Sequence, residues 1–143
     1  MHSVYLSLGT NLGDKEQNLL RAIEEIEKRI GHIRRQSAFL HTEPWGFESN
    51  NSFLNAAIKV DTELSPLEVL HKTKSIERLM GRKHKSVNRV YHDRIIDIDL
   101  LLYYNNDGED GEDGVHISTA ELTIPHPLMN ERDFVLIPLS EIK

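Results

Sequence analysis

The chain has 143 residues, the size of one ordinary domain, and its 38% hydrophobic residues fall in periodic segments, which excludes wholesale disorder. It contains no cysteine, which excludes disulfides and thiolate metal sites and suits the cytoplasm, and no apolar run approaches the roughly 18 residues that a bilayer span requires. The formal net charge of −6 is segregated along the chain: Asn105 to Gly114 holds Asp107, Glu109, Asp110, Glu112 and Asp113 with no base, and without that stretch 18 acidic residues stand against 17 basic ones.

Met1 to Gly9 shows no basic region followed by an apolar core and cleavage site, so no export is expected. Val4, Leu6 and Leu8 alternate and predict a strand, followed by a tight turn at Gly9 to Gly13 and a helix from about Asp14 to Arg29. Asp14 with Gln17 resembles a capping box, Leu19, Leu20, Ile23, Ile26 and Ile30 recur at helical spacing, and Gly31 suits a left-handed C-terminal cap. Ile33 to Thr42 reads as a second strand. After a loop around Pro44, Trp45 and Gly46, the alternation of Leu54, Ala56, Ile58 and Val60 predicts a third. Ser65 as N-cap, Pro66 at the first helical position and Glu68 closing the box begin a second helix, which stops at Gly81. A basic segment follows, Arg82 to Arg94, with Arg82, Lys83, Lys85, Arg89 and Arg94 against Asp93 alone.

Arg94 to Tyr104 then reads as a core strand, and the glycine-rich acidic segment as a solvated hairpin or loop. That segment has the composition of a calcium loop without its spacing. Leu122 to Met129 supplies a short strand and a proline-bounded turn, and Arg132 to Ile142 closes the chain. The order β-α-β-β-α-β predicts an α+β, ferredoxin-like fold, a largely antiparallel sheet with helices packed on it, as a single domain over residues 1–143.

The core strand carries the chemistry. Asp97 and Asp99 share one face while Ile96, Ile98 and Leu100 share the other, and residues two apart on a strand lie roughly 6–7 Å apart. Two ionised carboxylates so placed on an apolar sheet repel each other and lose hydration, a conflict that a divalent cation removes. Paired carboxylates can hold one or two Mg²⁺ ions that take their remaining ligands from water and substrate phosphates. A wet sheet face with two solvated aspartates carries the same pattern. Arg94 stands three residues before Asp97, and arginines beside magnesium are what polyphosphate handling needs. The same basic segment also suits a non-catalytic module that binds nucleic acid or another polyanion through residues 82–94, although its cations are not interleaved with a stacking platform of aromatics. There is no P-loop sequence. His126 is presented rigidly between Pro125 and Pro127.

Taken together, "SLGTNLGD", "FLNAA", "IERLMGR", "RIIDIDLLLY" and "LTIPHPLMNERDFVLIPLSEI" resemble the 6-hydroxymethyl-7,8-dihydropterin pyrophosphokinases of folate biosynthesis, in order and over nearly the entire chain. The resemblance implies Mg-dependent transfer of the β,γ-pyrophosphoryl group of ATP to the pterin hydroxymethyl oxygen, releasing AMP. It implies that Asp97 and Asp99 bind two Mg²⁺ ions, that Arg82 and Arg94 join them as catalytic residues, that Arg82, Arg94 and His126 contact phosphates with Glu77 near the nucleotide, and that Arg132 helps to hold a phosphate or to close the site. Phe53 and Phe134 would sandwich the pterin, and Asn55, Thr42 and the backbone around Glu43 and Trp45 would read its hydrogen-bonding edge. The segments 45–51 and 82–93 look like loops that seal such a site. ATP and the pterin are the implied partners, with neither nucleic acid nor membrane, for a cytoplasmic monomer. The chain departs from the family pattern at Tyr91, His92 and Asp93, where an aromatic-Gly-Pro run is common, at His84, where a second loop arginine is common, and at Pro127, where some members have tyrosine.

Overall fold

Val4, Leu6 and Leu8 on one face and Tyr5, Ser7 and Gly9 on the other make the central strand β1 (His2–Thr10). This is seen in a computed structural model that describes residues 1–42, 52–81, 95–105, 111 and 114–143. In chain order there follow α1 (Lys15–Arg29), β2 (Gly31–Gln36), β3 (Leu40–Thr42), β4 (Phe53–Thr62), α2 (Pro66–Leu79) and β5 (Asp97–Tyr104). Two short strands, β6 (Ile117–Ser118) and β7 (Thr123–Ile124), a 3₁₀ turn (Met129–Glu131) and α3 (Asp133–Ile142) complete the order. The main sheet runs β2-β4-β1-β5 with antiparallel neighbours throughout, and β3 extends the line of β2 along β4. Each β-α-β unit therefore has a strand of the other unit lying between its own two, the split arrangement expected of a ferredoxin-like fold. Of the acidic segment, residues 106–110 and 112–113 lie outside the described residues, as does the basic segment 82–94.

Both main helices start as their sequences indicate. Asp14 accepts from the Gln17 N–H at 3.2 Å, and at α2 the box is reciprocal: Ser65 Oγ accepts from the Glu68 N–H at 3.2 Å while Glu68 Oε1 accepts from the Ser65 N–H at 2.9 Å. Replacing Ser65 by alanine removes one of these bonds and is expected to lower stability by about 1 kcal/mol, read as a shifted midpoint in urea unfolding.

Three features differ from the reading of the sequence, and a fourth is a segment to which that reading assigns no element. Gly9 is a strand residue rather than part of the turn, which begins beyond Thr10 and uses Gly13 at φ +66°. Gly31 is not a left-handed cap; it opens β2, where a Cβ would collide with the backbone carbonyl oxygen of Asp61 across the strand pair. The stretch from Ile33 to Thr42 is two strands because Ser37 interrupts it: its Oγ, in place of a backbone carbonyl, accepts from the Ala57 N–H at 2.9 Å. Residues 133–142 form a helix despite Pro138, whose apolar neighbours Val135, Leu139 and Ile142 are buried against the sheet.

The helices divide the sheet's two faces. Leu19, Ala22 and Ile26 of α1 and Val69 and Ile76 of α2 pack on one face, over Val4, Leu6, Leu8, Ile58 and Ile98. On the other, α3 covers Tyr5, Ala57, Leu101 and Leu102. A bulge makes this possible: Tyr5 pairs with Leu102 but Leu6 with Leu100, so Leu101 is an extra residue and both leucines face α3. The bulge fixes where the apolar half of this face ends and where Asp97 and Asp99 begin. Among the described residues no helix is long and apolar enough to cross a membrane.

Candidate active site

Among the described residues β5 is an edge strand, paired only with β1, so alternate N–H groups point out of the sheet. The N–H of Ile98, between the two aspartates, donates to Glu77 Oε2 of α2 at 2.8 Å. Glu77 is buried, and Lys74 one turn earlier brings its ammonium to 3.7 Å from Glu77 Oε1. Helix α2 thereby grips the edge of the strand at the point where its two carboxylates project to the opposite face. There Asp97 lies beside Gly9 and Asp99 beside Ser7 on β1.

Burial first, then the neighbouring Asp97 and Glu77 carboxylates, push the Asp99 carboxyl up to about 7, against the opposing pull of Lys74 and Arg132. A cation beside such a group favours its ionised form. Among the described residues no third His, Cys, Asp or Glu completes a cage around the pair. Two carboxylates in a partly open setting are a donor set suited to Mg²⁺, which keeps water and draws on phosphate oxygens.

The segment before α3 forms one wall. The His126 N–H donates to the Leu101 carbonyl at 3.0 Å, and its Nδ1 accepts from the Leu128 N–H at 3.2 Å. Burial and then Arg132 hold the imidazole below its usual range, with Asp97 opposing. With Nδ1 accepting, the neutral ring carries its proton on Nε2, a hydrogen-bond donor. The Arg132 guanidinium lies 5.6 Å from the centroid of the Phe134 ring.

On the far side of β1 the site changes character. Thr42 of β3 pairs with Phe53 of β4, and Asn55 Nδ2 donates to Thr42 Oγ1 at 2.8 Å. Asn55 is only 2% exposed, so its amide is fixed. In the sheet register Asn55, Gly9 and Asp97 form one row across β4, β1 and β5.

The structure thus joins Asp97, Asp99, Glu77, His126 and Arg132 through their charges, and sets Thr42, Phe53 and Asn55 across β1 from them. Phe134 stands at the start of α3. Glu43, Trp45, Arg82 and Arg94 lie outside the described residues. Lys74, Ser7 and Gly9 were not singled out from the sequence as site residues. Lys74 could have been found from its spacing to Glu77, one helical turn away; the other two are visible only once the strands are in register.

The sheet thus carries a carboxylate pair on one side of β1 and a buried amide beside an aromatic ring on the other. Residues 5–143 match the sequence profile of the 7,8-dihydro-6-hydroxymethylpterin-pyrophosphokinases. The chain belongs to that family. It is 47% identical to the 2-amino-4-hydroxy-6-hydroxymethyldihydropteridine pyrophosphokinase of Porphyromonas gingivalis, over 99% of this chain and 91% of the relative. With the enzyme of the same name from Aquifex aeolicus the identity is 41%, over 100% of this chain and 81% of the other. A crystal structure of Plasmodium falciparum HPPK-DHPS superposes with a TM-score of 0.70 over 99% of this chain and 41% of that chain, at 17% identity, a likeness of fold alone. As a pyrophosphokinase of this family the protein is an ATP-dependent enzyme of folate biosynthesis that transfers a pyrophosphoryl group to a hydroxymethyl-dihydropterin.

Proposed function

We propose that Asp97 and Asp99 seat two Mg²⁺ ions against the triphosphate of ATP, and that this pair is the centre of the transfer. The observation that carries the reading is the electrostatic conflict at Asp99, raised to about 7 by burial and by two neighbouring carboxylates. Bound there, the ions would neutralise phosphate oxygens as Lewis acids. The chain's own groups do the rest. Arg82 and Arg94 act with the aspartates as catalytic residues. His126 through Nε2–H and Arg132 through its guanidinium hold phosphate oxygens, while Glu77 acts at the nucleotide end by fixing the strand that carries the aspartates. Phe53 and Phe134 enclose the pterin ring. Asn55, Thr42, and the backbone at Glu43 and Trp45 take up its hydrogen-bonding edge. The pterin hydroxymethyl oxygen forms a bond to the β-phosphorus, the bond between that phosphorus and the α,β-bridging oxygen breaks, AMP leaves and the hydroxyl proton is released.

Incubating the protein with Mg²⁺, ATP and 6-hydroxymethyl-7,8-dihydropterin should yield AMP and the pterin pyrophosphate in equal amounts. ADP as the nucleotide product would overturn the reading. Trp45 is the single tryptophan, so its emission is expected to change when the pterin and a non-transferring ATP analogue bind together; constant emission would remove Trp45 from the pterin pocket.

The charge of Asp99 also fixes a pH dependence. Its carboxyl is raised from 3.8 to about 7 in the folded chain. Between these values the ligand-free folded protein holds a proton that the unfolded chain has lost. Its contribution to stability therefore falls as pH rises through that window and levels off above it. Binding of Mg²⁺ displaces the same proton, so the affinity for Mg²⁺ with nucleotide should increase from about pH 6 to about pH 8, with proton uptake by the buffer. Calorimetric titrations in buffers of different ionisation enthalpy measure this, and an affinity independent of pH would contradict it.

The family's chemistry calls for ATP and the pterin as partners, with neither nucleic acid nor membrane, for a single chain acting in the cytoplasm. The near neutrality of the chain outside its acidic segment supports the exclusion of nucleic acid.

A further inference from the structure

We infer that Gly9 is a specificity-determining residue: its missing side chain keeps clear the strip of sheet over which the pterin must lie to reach the metal-bearing carboxylates. The inference rests on the pyrophosphokinase reading and adds to it a residue on β1, a strand to which that reading gives no role.

Glycine at this position is not required by the backbone. The glycines with positive φ among the described residues are Gly13, Gly81 and Gly114, whereas Gly9 lies in regular strand between two antiparallel partners. What requires it is space. A Cβ at Gly9 would stand 3.0 Å from Asn55 Oδ1 and 3.8 Å from Phe53 Cδ1. A methyl group there would press on the amide oxygen and touch the ring edge, the two groups that define the pterin side of the site.

The amide cannot easily yield. Asn55 is 2% exposed and its Nδ2 is engaged with Thr42 Oγ1 at 2.8 Å. That bond orients Oδ1 over Gly9, where none of the described residues donates to it. The oxygen of this buried side chain, so directed, can accept from a donor outside the fold, such as a ring N–H or amino group of a flat heterocycle.

Asn55, Gly9 and Asp97 lie in one row, so the amide and the carboxylate are two strand spacings apart, about 10 Å between backbones. A substrate that is recognised at Asn55 and reacts beside Asp97 must cross the position between them. In the next row Ala57 and Ser7 carry small side chains beside Asp99, and α3 begins to cover the face at Ala57. Gly9 is thus the lowest point of the floor, at the one place where the ring has to pass.

The experiment compares wild type, Gly9→Ala, Asn55→Ala and the double variant, measuring the dissociation constant for 6-hydroxymethyl-7,8-dihydropterin and, separately, for Mg²⁺ with α,β-methylene-ATP. Nothing of Asp97 lies among the close neighbours of the added Cβ, so nucleotide affinity in Gly9→Ala should stay within about twofold of wild type. Retained nucleotide affinity also shows that the variant is folded. Pterin affinity should fall by about tenfold or more in the wild-type background and much less in the Asn55→Ala background, because the methyl acts through that amide. Pterin affinity within about twofold of wild type in Gly9→Ala, or an equal loss in both backgrounds, would overturn the inference. Wild-type protein that binds nucleotide but no pterin would instead overturn the reading on which it rests.

Discussion

Replacing either Asp97 or Asp99 by asparagine is expected to lower turnover on the order of a thousandfold while leaving the fold intact. Asparagine keeps the shape of each side chain and removes the charge that a divalent cation needs. The two substitutions should not behave alike in the ligand-free protein. Asp99 carries the cost of a buried charge beside Asp97 and Glu77, so Asp99→Asn should raise thermal stability above about pH 7, where that charge is forced on the fold. Its gain should shrink at lower pH, where the wild-type carboxyl is protonated. A loss of activity coupled to a gain in stability is a signature of a site held under electrostatic strain for its ligand. Thermal unfolding at two pH values beside an AMP-release assay measures both. An Asp99→Asn protein that turns over normally, or one destabilised at high pH, would contradict the account.

The second large effect belongs to Glu77. Removing its carboxylate in Glu77→Ala leaves the Ile98 N–H without its acceptor at the sheet edge, which costs about 1–3 kcal/mol of stability. It also loosens the strand between the two aspartates, for which a drop in metal affinity on the order of tenfold to a hundredfold is expected. Glu77→Gln retains an oxygen that can accept from the same N–H. It should recover most of the stability, and it removes one of the charges that raise Asp99. Glu77 acting as a nucleotide ligand alone would show the reverse pattern, weak nucleotide binding in both variants with stability unchanged. Urea unfolding together with Mg²⁺-nucleotide titration separates the two.

The carboxylate pair was legible in the sequence because a strand's period of two depends on nothing outside it: Asp97 and Asp99 must share a face. The same holds for α2, whose capping box and Gly81 are local signals. What the sequence hid depends on partners far along the chain. The bulge at Leu101 arises from pairing with β1, and alternation alone cannot show that Leu101 and Leu102 both face α3. The break at Ser37 comes from its hydroxyl replacing a backbone acceptor for Ala57. The closing helix was obscured by Pro138 within an apolar run, and it forms because that run has a sheet face to cover. Gly9 reads as a turn glycine beside Gly13; only its neighbours Asn55 and Asp97, each on a different strand, reveal that room is what matters there. Glu77 was associated with the nucleotide end from the family pattern, but its bond to the Ile98 N–H shows a structural grip on the strand as well.

The central claim, that Asp97 and Asp99 seat the metal ions that carry the triphosphate, is tested most directly by counting bound Mn²⁺ by electron paramagnetic resonance in the presence of α,β-methylene-ATP. That analogue cannot transfer its terminal pyrophosphoryl group because the bond to be broken is replaced by carbon. Wild-type protein should bind two spin-coupled Mn²⁺ ions per chain, and Asp97→Asn and Asp99→Asn should each lose at least one of them. Two ions bound with undiminished affinity in both variants would show that the metal sits elsewhere.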